Sequence, residues 1–291
     1  MLYSEIFRSI QGEGVYTGVP TVWLRLFGCN LECNGFGQDD PTDPDSYVLP
    51  YQEIDLTDIT VPEELPVFPY GCDSSYSWSK RFKKLQRKGT PEEVASELYK
   101  LMYNNKTHVA FTGGEPLMKA GQKNIVKVLE VLDKLWYSIN KDPRPMHNDQ
   151  VTNITFETNG TRFIEDVLRD EILKRQYTTE FFFSVSPKIW STSGEKDRIC
   201  PDVVQEYHGL SLNGQLKFVC NGSEQSWDEI EDAIASFRHS GVMYPIWIMP
   251  VGATEESQDE IAAEIAEQTM NRGYNVSARV HCYIWGNEIG R

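Results

Sequence analysis

Read as a pattern of apolar and polar positions, the chain has an irregular first third and a regular remainder. Val22-Trp23-Leu24-Arg25-Leu26-Phe27 is an apolar run of strand length that hands over to Gly28-Cys29. From Thr90 onward, strand-like and helix-like stretches alternate. Thr90-Pro91-Glu92-Glu93 carries a capping hydroxyl, a proline at the first helical position and acids in the first turn, which predicts a helix to about Tyr103. His108–Phe111, Ile154–Phe156, Phe181–Val185, Leu216–Val219 and Pro245–Ile248 read as strands. Helices are predicted over about Asn124–Tyr137, Trp227–His239 and Glu255–Arg272. Lys141–Pro145 reads as a loop, and a last apolar run, Val280–Trp285, as a strand-like tail. Counted from Val22 there are six main strands, and such alternation calls for an α/β fold with a parallel sheet covered by helices. Ligand chemistry in that class gathers at the carboxyl ends of the strands.

Each predicted strand ends in something polar or glycine-rich. In order these are Gly28-Cys29, Thr112-Gly113-Gly114-Glu115-Pro116, Glu157-Thr158-Asn159-Gly160, Ser186-Pro187-Lys188, Cys220-Asn221-Gly222 and Met249-Pro250-Val251-Gly252. One such loop is an ordinary turn. Six in register along one chain describe one continuous site.

Composition changes the picture in two places. Residues 34–71 hold nine Asp/Glu, no Lys or Arg, and six prolines, so this segment reads as an insertion. It is expected to form neither a long helix nor a packed core of its own, but an irregular surface excursion that serves as a lid or partner surface. Directly after Cys72 the sign reverses, with Lys80, Arg81, Lys83, Lys84, Arg87 and Lys88 close together. This run reads as a solvated face or as a docking patch for an acidic partner. The net charge of −15 speaks against direct binding to nucleic acid or an anionic membrane, and no apolar run approaches a membrane span. With six cysteines and no signal-peptide pattern at Met1–Glu5, a reducing, cytoplasmic setting is expected.

Cys29 and Cys33 sit in one loop, and Cys72 follows across the insertion. Three thiolates suit an iron–sulfur cluster with one iron left open, whereas structural zinc takes a fourth protein ligand; spacing alone leaves cluster, zinc and free thiols in contention. Cys200, Cys220 and Cys282 stand in apolar or loop contexts and read as core filler. Near the start, Ser9-Ile10-Gln11-Gly12-Glu13-Gly14 is polar and bracketed by glycines, which fits either a plain turn or a close approach of backbone to ligand.

Taken together, Ser9–Gly14, Arg25 with Cys29, Cys33, Cys72-Asp73-Ser74, Thr112-Gly113-Gly114-Glu115-Pro116, Ser186-Pro187-Lys188 and His281–Asn287 resemble the radical S-adenosylmethionine (SAM) enzymes. Within them the set resembles the 7-carboxy-7-deazaguanine synthases over nearly the whole chain, apart from residues 34–71 and the loop near 140–152. The resemblance implies a partial, open TIM-like barrel of about six parallel strands with helices outside, in a single domain spanning 1–291 with insertions at about 34–71 and 138–152. It implies a [4Fe-4S] cluster on Cys29, Cys33 and Cys72, with SAM chelating the open iron and Mg²⁺ on Ser74. The third cysteine departs from the superfamily spacing, which would place it at Phe36, and Ser74 stands where the family has threonine.

By the same resemblance, Ile10, Gln11, Gly12, Glu13, Arg25 and Thr112 contact a 6-carboxytetrahydropterin substrate, with Arg25 on its carboxylate. Gly114, Glu115, Ser186, Pro187, Lys188, Met249, Pro250, Val251 and Gly252 line SAM. The implied reaction is a lyase-type ring contraction with loss of ammonia, in queuosine or 7-deazapurine biosynthesis. A homodimer and a flavodoxin-like electron donor docking on Lys80–Lys88 are expected. The alternatives are a radical SAM activase that installs a glycyl radical on a partner protein, and a zinc-stabilised binding module.

Overall fold

The computed structural model describes residues 1–104, 106–140 and 151–291, and of 137–140 the backbone alone. The loop expected at Lys141–Pro145, and most of the insertion expected at 138–152, lie outside the described residues; 138–140 complete the helix Lys119–Asn140. Among the described residues nine strands form one sheet: β1 (Leu2–Ile10), β2 (Pro20–Leu26), β3 (Arg87–Lys88), β4 (His108–Gly113), β5 (Asn153–Thr158), β6 (Glu180–Val185), β7 (Gly214–Cys220), β8 (Ile246–Pro250) and β9 (Asn275–Val276). Their order is β3-β1-β2-β4-β5-β6-β7-β8-β9. From β2 through β9 neighbouring strands are parallel, while β1 runs antiparallel to both β2 and β3. Among the described residues β3 and β9 end the order and do not pair with each other, so the sheet is an open, partial barrel built on the six expected parallel strands.

Strand periodicity sorts the side chains. Leu24, Phe111, Phe156, Phe183, Phe218 and Ile248 are fully buried on the outer face, under helices that contribute Leu98, Leu129, Leu132, Ile230 and Phe237 to the same core. Each contributes about 2–3 kcal/mol of burial. Alternate positions of the same strands face inward and are polar: Arg25, Thr112, Glu157, Gln215 and Lys217. The helices start where their caps dictate. Thr90 accepts from Glu93 N–H at 3.2 Å while the Glu93 carboxylate accepts from Thr90 N–H at 2.7 Å, which fixes the start of Pro91–Leu101. Thr254 and Ser257 make the same reciprocal pair at the start of Glu255–Asn271, and Ser223 caps Glu224–His239 by accepting from Ser226 N–H.

Three expectations need correction. β1 escaped the sequence reading because a register shift between Tyr3 and Glu5 breaks its alternation. The tail Val280–Trp285 is a helix, closed by Gly286 in the left-handed region at φ 62°; a six-residue apolar run does not distinguish strand from helix by period. The segment 34–71 does pack. It has no helix longer than the single turn Pro50–Glu53, yet Tyr51, Leu65 and Phe68 are buried with Tyr76, Phe82 and Leu85 in a second small core. Prolines forbid regular backbone, not side-chain packing, and all nine carboxylates of the segment stay exposed.

Candidate active site

The carboxyl ends of the strands enclose a cavity of about 300 Å³. Five of the six expected strand-end loops reach it, through Cys29, Thr112–Gly114, Glu157–Asn159, Ser186 with Lys188, and Met249–Gly252. The fifth loop does not: Asn221 donates to the Ser191 carbonyl at 3.1 Å and accepts from the helix cap Ser223 at 2.7 Å; β7 instead contributes Lys217 and Val219 from within the strand. Ile10, Gln11, Gly12 and Glu13, at the end of β1, close the cavity from the antiparallel side. Of the residues expected at the site, Glu115 and Pro187 stand off its wall. The Glu115 carboxylate accepts from Leu117 N–H (2.9 Å), Thr158 Oγ1 (2.9 Å) and Asn159 N–H (2.7 Å), so it braces two loops from behind. Burial pushes its pKa up, against the pull of those three donors.

Cys29, Cys33 and Cys72 all line the cavity and feel one another electrostatically. Burial pushes the Cys29 thiol up to about 12, the Cys72 thiol up to about 11 and the Cys33 thiol well above its ordinary value. As free thiols they are neutral, and a metal centre is what would ionise them. Cys33 sits at φ 51°, and Glu195 Oε1 holds its loop by accepting from the N–H groups of Glu32 (2.8 Å) and Cys33 (2.9 Å). Among the described residues no three His, Cys, Asp or Glu side chains are arranged around a single ion. A cluster makes a different demand, since each thiolate goes to its own iron.

Glycine at 114 is dictated by this loop. A Cβ there would stand 2.4 Å from the Gly28 carbonyl oxygen and 2.7 Å from Cys29 Cβ. The strand end therefore lies directly against the cysteine loop, with its backbone open to the cavity.

The floor carries a chain of buried charges of which the sequence reading had given a role only to Glu13. Lys217 Nζ lies 2.5 Å from Glu13 and 3.3 Å from Glu157, and Gln11 Nε2 donates to Glu157 at 2.7 Å. Arg279 reaches Glu13 at 3.0 Å and Asp73 at 2.5 Å. Burial alone would raise the pKa of Glu13, yet Lys217, Arg279 and His281 hold it far below the ordinary carboxylate range. Burial would likewise depress Lys217, and Glu13 with Glu157 keeps it charged. His281 is pushed down to about 4 by burial and by Arg279, so it is neutral at pH 7. Asp73, Glu157 and His281 stood inside quoted motifs without a role. Lys217 had a legible signal, a cation inside an apolar strand run, whereas nothing in sequence marked Arg279.

Arg25 is held from below. Its Nε donates to Glu5 at 2.6 Å, Tyr76 OH donates to the same oxygen at 2.7 Å, and Arg25 Nη1 donates to Ser74 Oγ at 3.2 Å. Ser74 in turn donates to Asp73 at 3.2 Å. Glu5 thus fixes the guanidinium while its outer edge lines the cavity. Lys188 Nζ bonds Ser186 Oγ at 2.8 Å and rides 5.5 Å from the centre of the Phe36 ring.

Known proteins share this frame. A family model for the radical SAM superfamily matches residues 69–267. The chain is 25% identical over 290 residues to the 7-carboxy-7-deazaguanine synthase of Pyrobaculum aerophilum, covering 99% of this chain and 96% of that one. It is 28% identical over 295 residues to the synthase of Thermoplasma acidophilum, covering 100% of both. The crystal structure of QueE from Escherichia coli superposes with a TM-score of 0.53 at 18% identity, over 97% of this chain and 95% of that one, a likeness of fold.

Proposed function

The chain belongs to the radical SAM superfamily, and within it we propose a 7-carboxy-7-deazaguanine synthase that converts 6-carboxy-5,6,7,8-tetrahydropterin to 7-carboxy-7-deazaguanine with loss of ammonia. Membership of the superfamily brings a [4Fe-4S] cluster and SAM, and the three thiols on one cavity wall have the donor chemistry to hold that cluster. When bound, cluster and SAM supply a 5′-deoxyadenosyl radical that takes hydrogen from the substrate. The observation that carries the substrate reading is the meeting of Gln11, Glu13, Glu157 and Lys217 with the braced Arg25 in one cavity. Relatives that match end to end bear the synthase name.

The protein's part is binding and orientation. Arg25 presents a planar fork to the substrate carboxylate, prealigned by Glu5 and Tyr76. Glu13, Gln11 and Glu157 offer fixed acceptors and a donor to the pterin edge, and Lys217 and Arg279 keep Glu13 ionised. Thr112 would bond substrate. Gly114 with Met249, Pro250, Val251 and Gly252, and Ser186 with Lys188, would line SAM. Ser74 Oγ and its neighbour Asp73 are hard oxygens suited to Mg²⁺. Lys80, Arg81, Lys83, Lys84 and Lys88 follow Cys72 in sequence, are exposed, and would dock an acidic, flavodoxin-like electron donor. Charge reversal at Lys80, Lys83 and Lys84 should slow flavodoxin-driven turnover and spare dithionite-driven turnover.

The test is an anaerobic assay of reconstituted protein with dithionite, SAM, Mg²⁺ and 6-carboxytetrahydropterin, read by mass spectrometry. Ammonia loss from the pterin without stoichiometric SAM consumption supports the synthase. SAM cleavage with the pterin untouched would move the substrate elsewhere and favour the activase.

A further inference from the structure

Cys72 is separated from Cys33 by all of residues 34–71, yet the ends of that segment meet. Gly71 N–H donates to the Phe36 carbonyl at 2.7 Å, and a Cβ on Gly37 would stand 3.0 Å from the Pro69 carbonyl. Position 36 is where an uninterrupted loop would carry its third thiol, so this closure delivers Cys72 to that place in space. Between its ends the segment is not slack. Tyr51 stands edge-on to Phe68 at 6.4 Å and to Trp78 at 5.7 Å, and Phe68 lies 5.9 Å from Phe82. Tyr51 OH donates to Asn34 Oδ1 at 3.1 Å, which ties this small core to the residue after Cys33. Trp78 packs against this small core and is tied back to Cys72 through one turn, Ser75 N–H donating to the Cys72 carbonyl at 3.0 Å and the Trp78 backbone N–H to the Ser75 carbonyl at 3.2 Å.

We propose that residues 34–71 are a positioning clamp for the third thiolate: Tyr51 and Phe68 hold Trp78, and Trp78 together with the Phe36–Gly71 closure sets Cys72 against Cys29 and Cys33. The segment is then a scaffold for the metal centre rather than the lid its composition suggested. The inference rests on Cys72 being a cluster ligand and not on which substrate is turned over.

The test uses the full chain, reconstituted anaerobically, with iron and sulfide content and the rate of iron loss to a chelator as readouts. Tyr51→Ala with Phe68→Ala empties the small core and leaves the main core untouched. It should lose cluster iron at least tenfold faster than the parent, with the circular-dichroism spectrum and main thermal transition retained. Loss within twofold of the parent overturns the clamp. Should that variant misfold, Trp78→Ala decides, because it removes the ring Tyr51 packs against and leaves Tyr51, Phe68 and Phe82 in place. It too should lose cluster iron at least tenfold faster than the parent, and loss within twofold of the parent overturns the proposal. A pterin left untouched by an enzyme with normal iron retention would count against the substrate reading and leave the clamp standing.

Discussion

Replacing Lys217 by Met should cost about 3–5 kcal/mol of folding stability, because breaking a buried ion pair strands its partner. Lys217 is 3% exposed and serves two carboxylates, Glu13 at 2.5 Å and Glu157 at 3.3 Å. The two would fare differently. Glu13 keeps Arg279 at 3.0 Å, whereas Glu157 is left with the neutral Gln11 donor at 2.7 Å. The loss therefore falls mainly on Glu157, and removing that charge as well should restore part of it. Glu157→Gln alone leaves Lys217 on Glu13 and should cost about 1 kcal/mol. The double variant removes one charge of each sign and should cost about 2 kcal/mol, a coupling of about 2 kcal/mol or more. For a chain of 291 residues the single Lys217 variant should melt roughly 5–8 °C lower. Equilibrium urea unfolding of the four proteins at pH 7, followed by tryptophan fluorescence, measures the cycle. Costs that add within about 0.5 kcal/mol would show that Lys217 and Glu157 do not depend on each other, and the charge chain on the cavity floor would lose its physical basis.

Gly114→Ala should push the cysteine loop back by about 1 Å, since a Cβ has 2.4 Å where about 3.4 Å is needed. SAM affinity and cluster retention should both fall at least tenfold, while Gly209→Ala, with open space around its Cβ, should be neutral or slightly stabilising. Arg25→Lys keeps a cation above Glu5 but loses the planar fork, so KM for the carboxypterin should rise about tenfold or more, worth about 1.4 kcal/mol. Discrimination against an analogue lacking the carboxylate should shrink by the same factor, and an unchanged ratio would remove Arg25 from carboxylate binding. Burial pushes His108 and His281 each down to about 4, so below their ordinary value the unfolded chain takes up protons that the folded one refuses. Stability should be full above about pH 6.5 and be lost as pH falls toward 4, by up to about 3 kcal/mol for each histidine. His108→Gln should flatten that slope in urea midpoints measured between pH 7 and 5.

Much of this protein was legible in one dimension because its signals are local. An apolar run with period two is a strand wherever it sits, and Thr90-Pro91-Glu92-Glu93 caps its own helix. Glycine-rich ends of consecutive parallel strands must share one edge of the sheet, which placed Cys29, Thr112, Gly114, Lys188 and Met249 around one cavity before any coordinates. What needed the fold is non-local. β1 hid because a bulge breaks its alternation, and Val280–Trp285 is too short for its period to choose between strand and helix. Lys217 is paired across the sheet with Glu13, and Arg279 with Asp73, partners roughly two hundred residues apart along the chain. A charge announces no partner at that distance, because only burial in a shared cavity makes the pairing obligatory. Composition likewise marked residues 34–71 as acidic, proline-rich and irregular, and their nine carboxylates are exposed. That the same segment folds Tyr51 and Phe68 against Trp78 and returns Cys72 to the side of Phe36 was decided by tertiary packing alone, since apolar residues scattered among prolines have no period to read and find one another only in three dimensions.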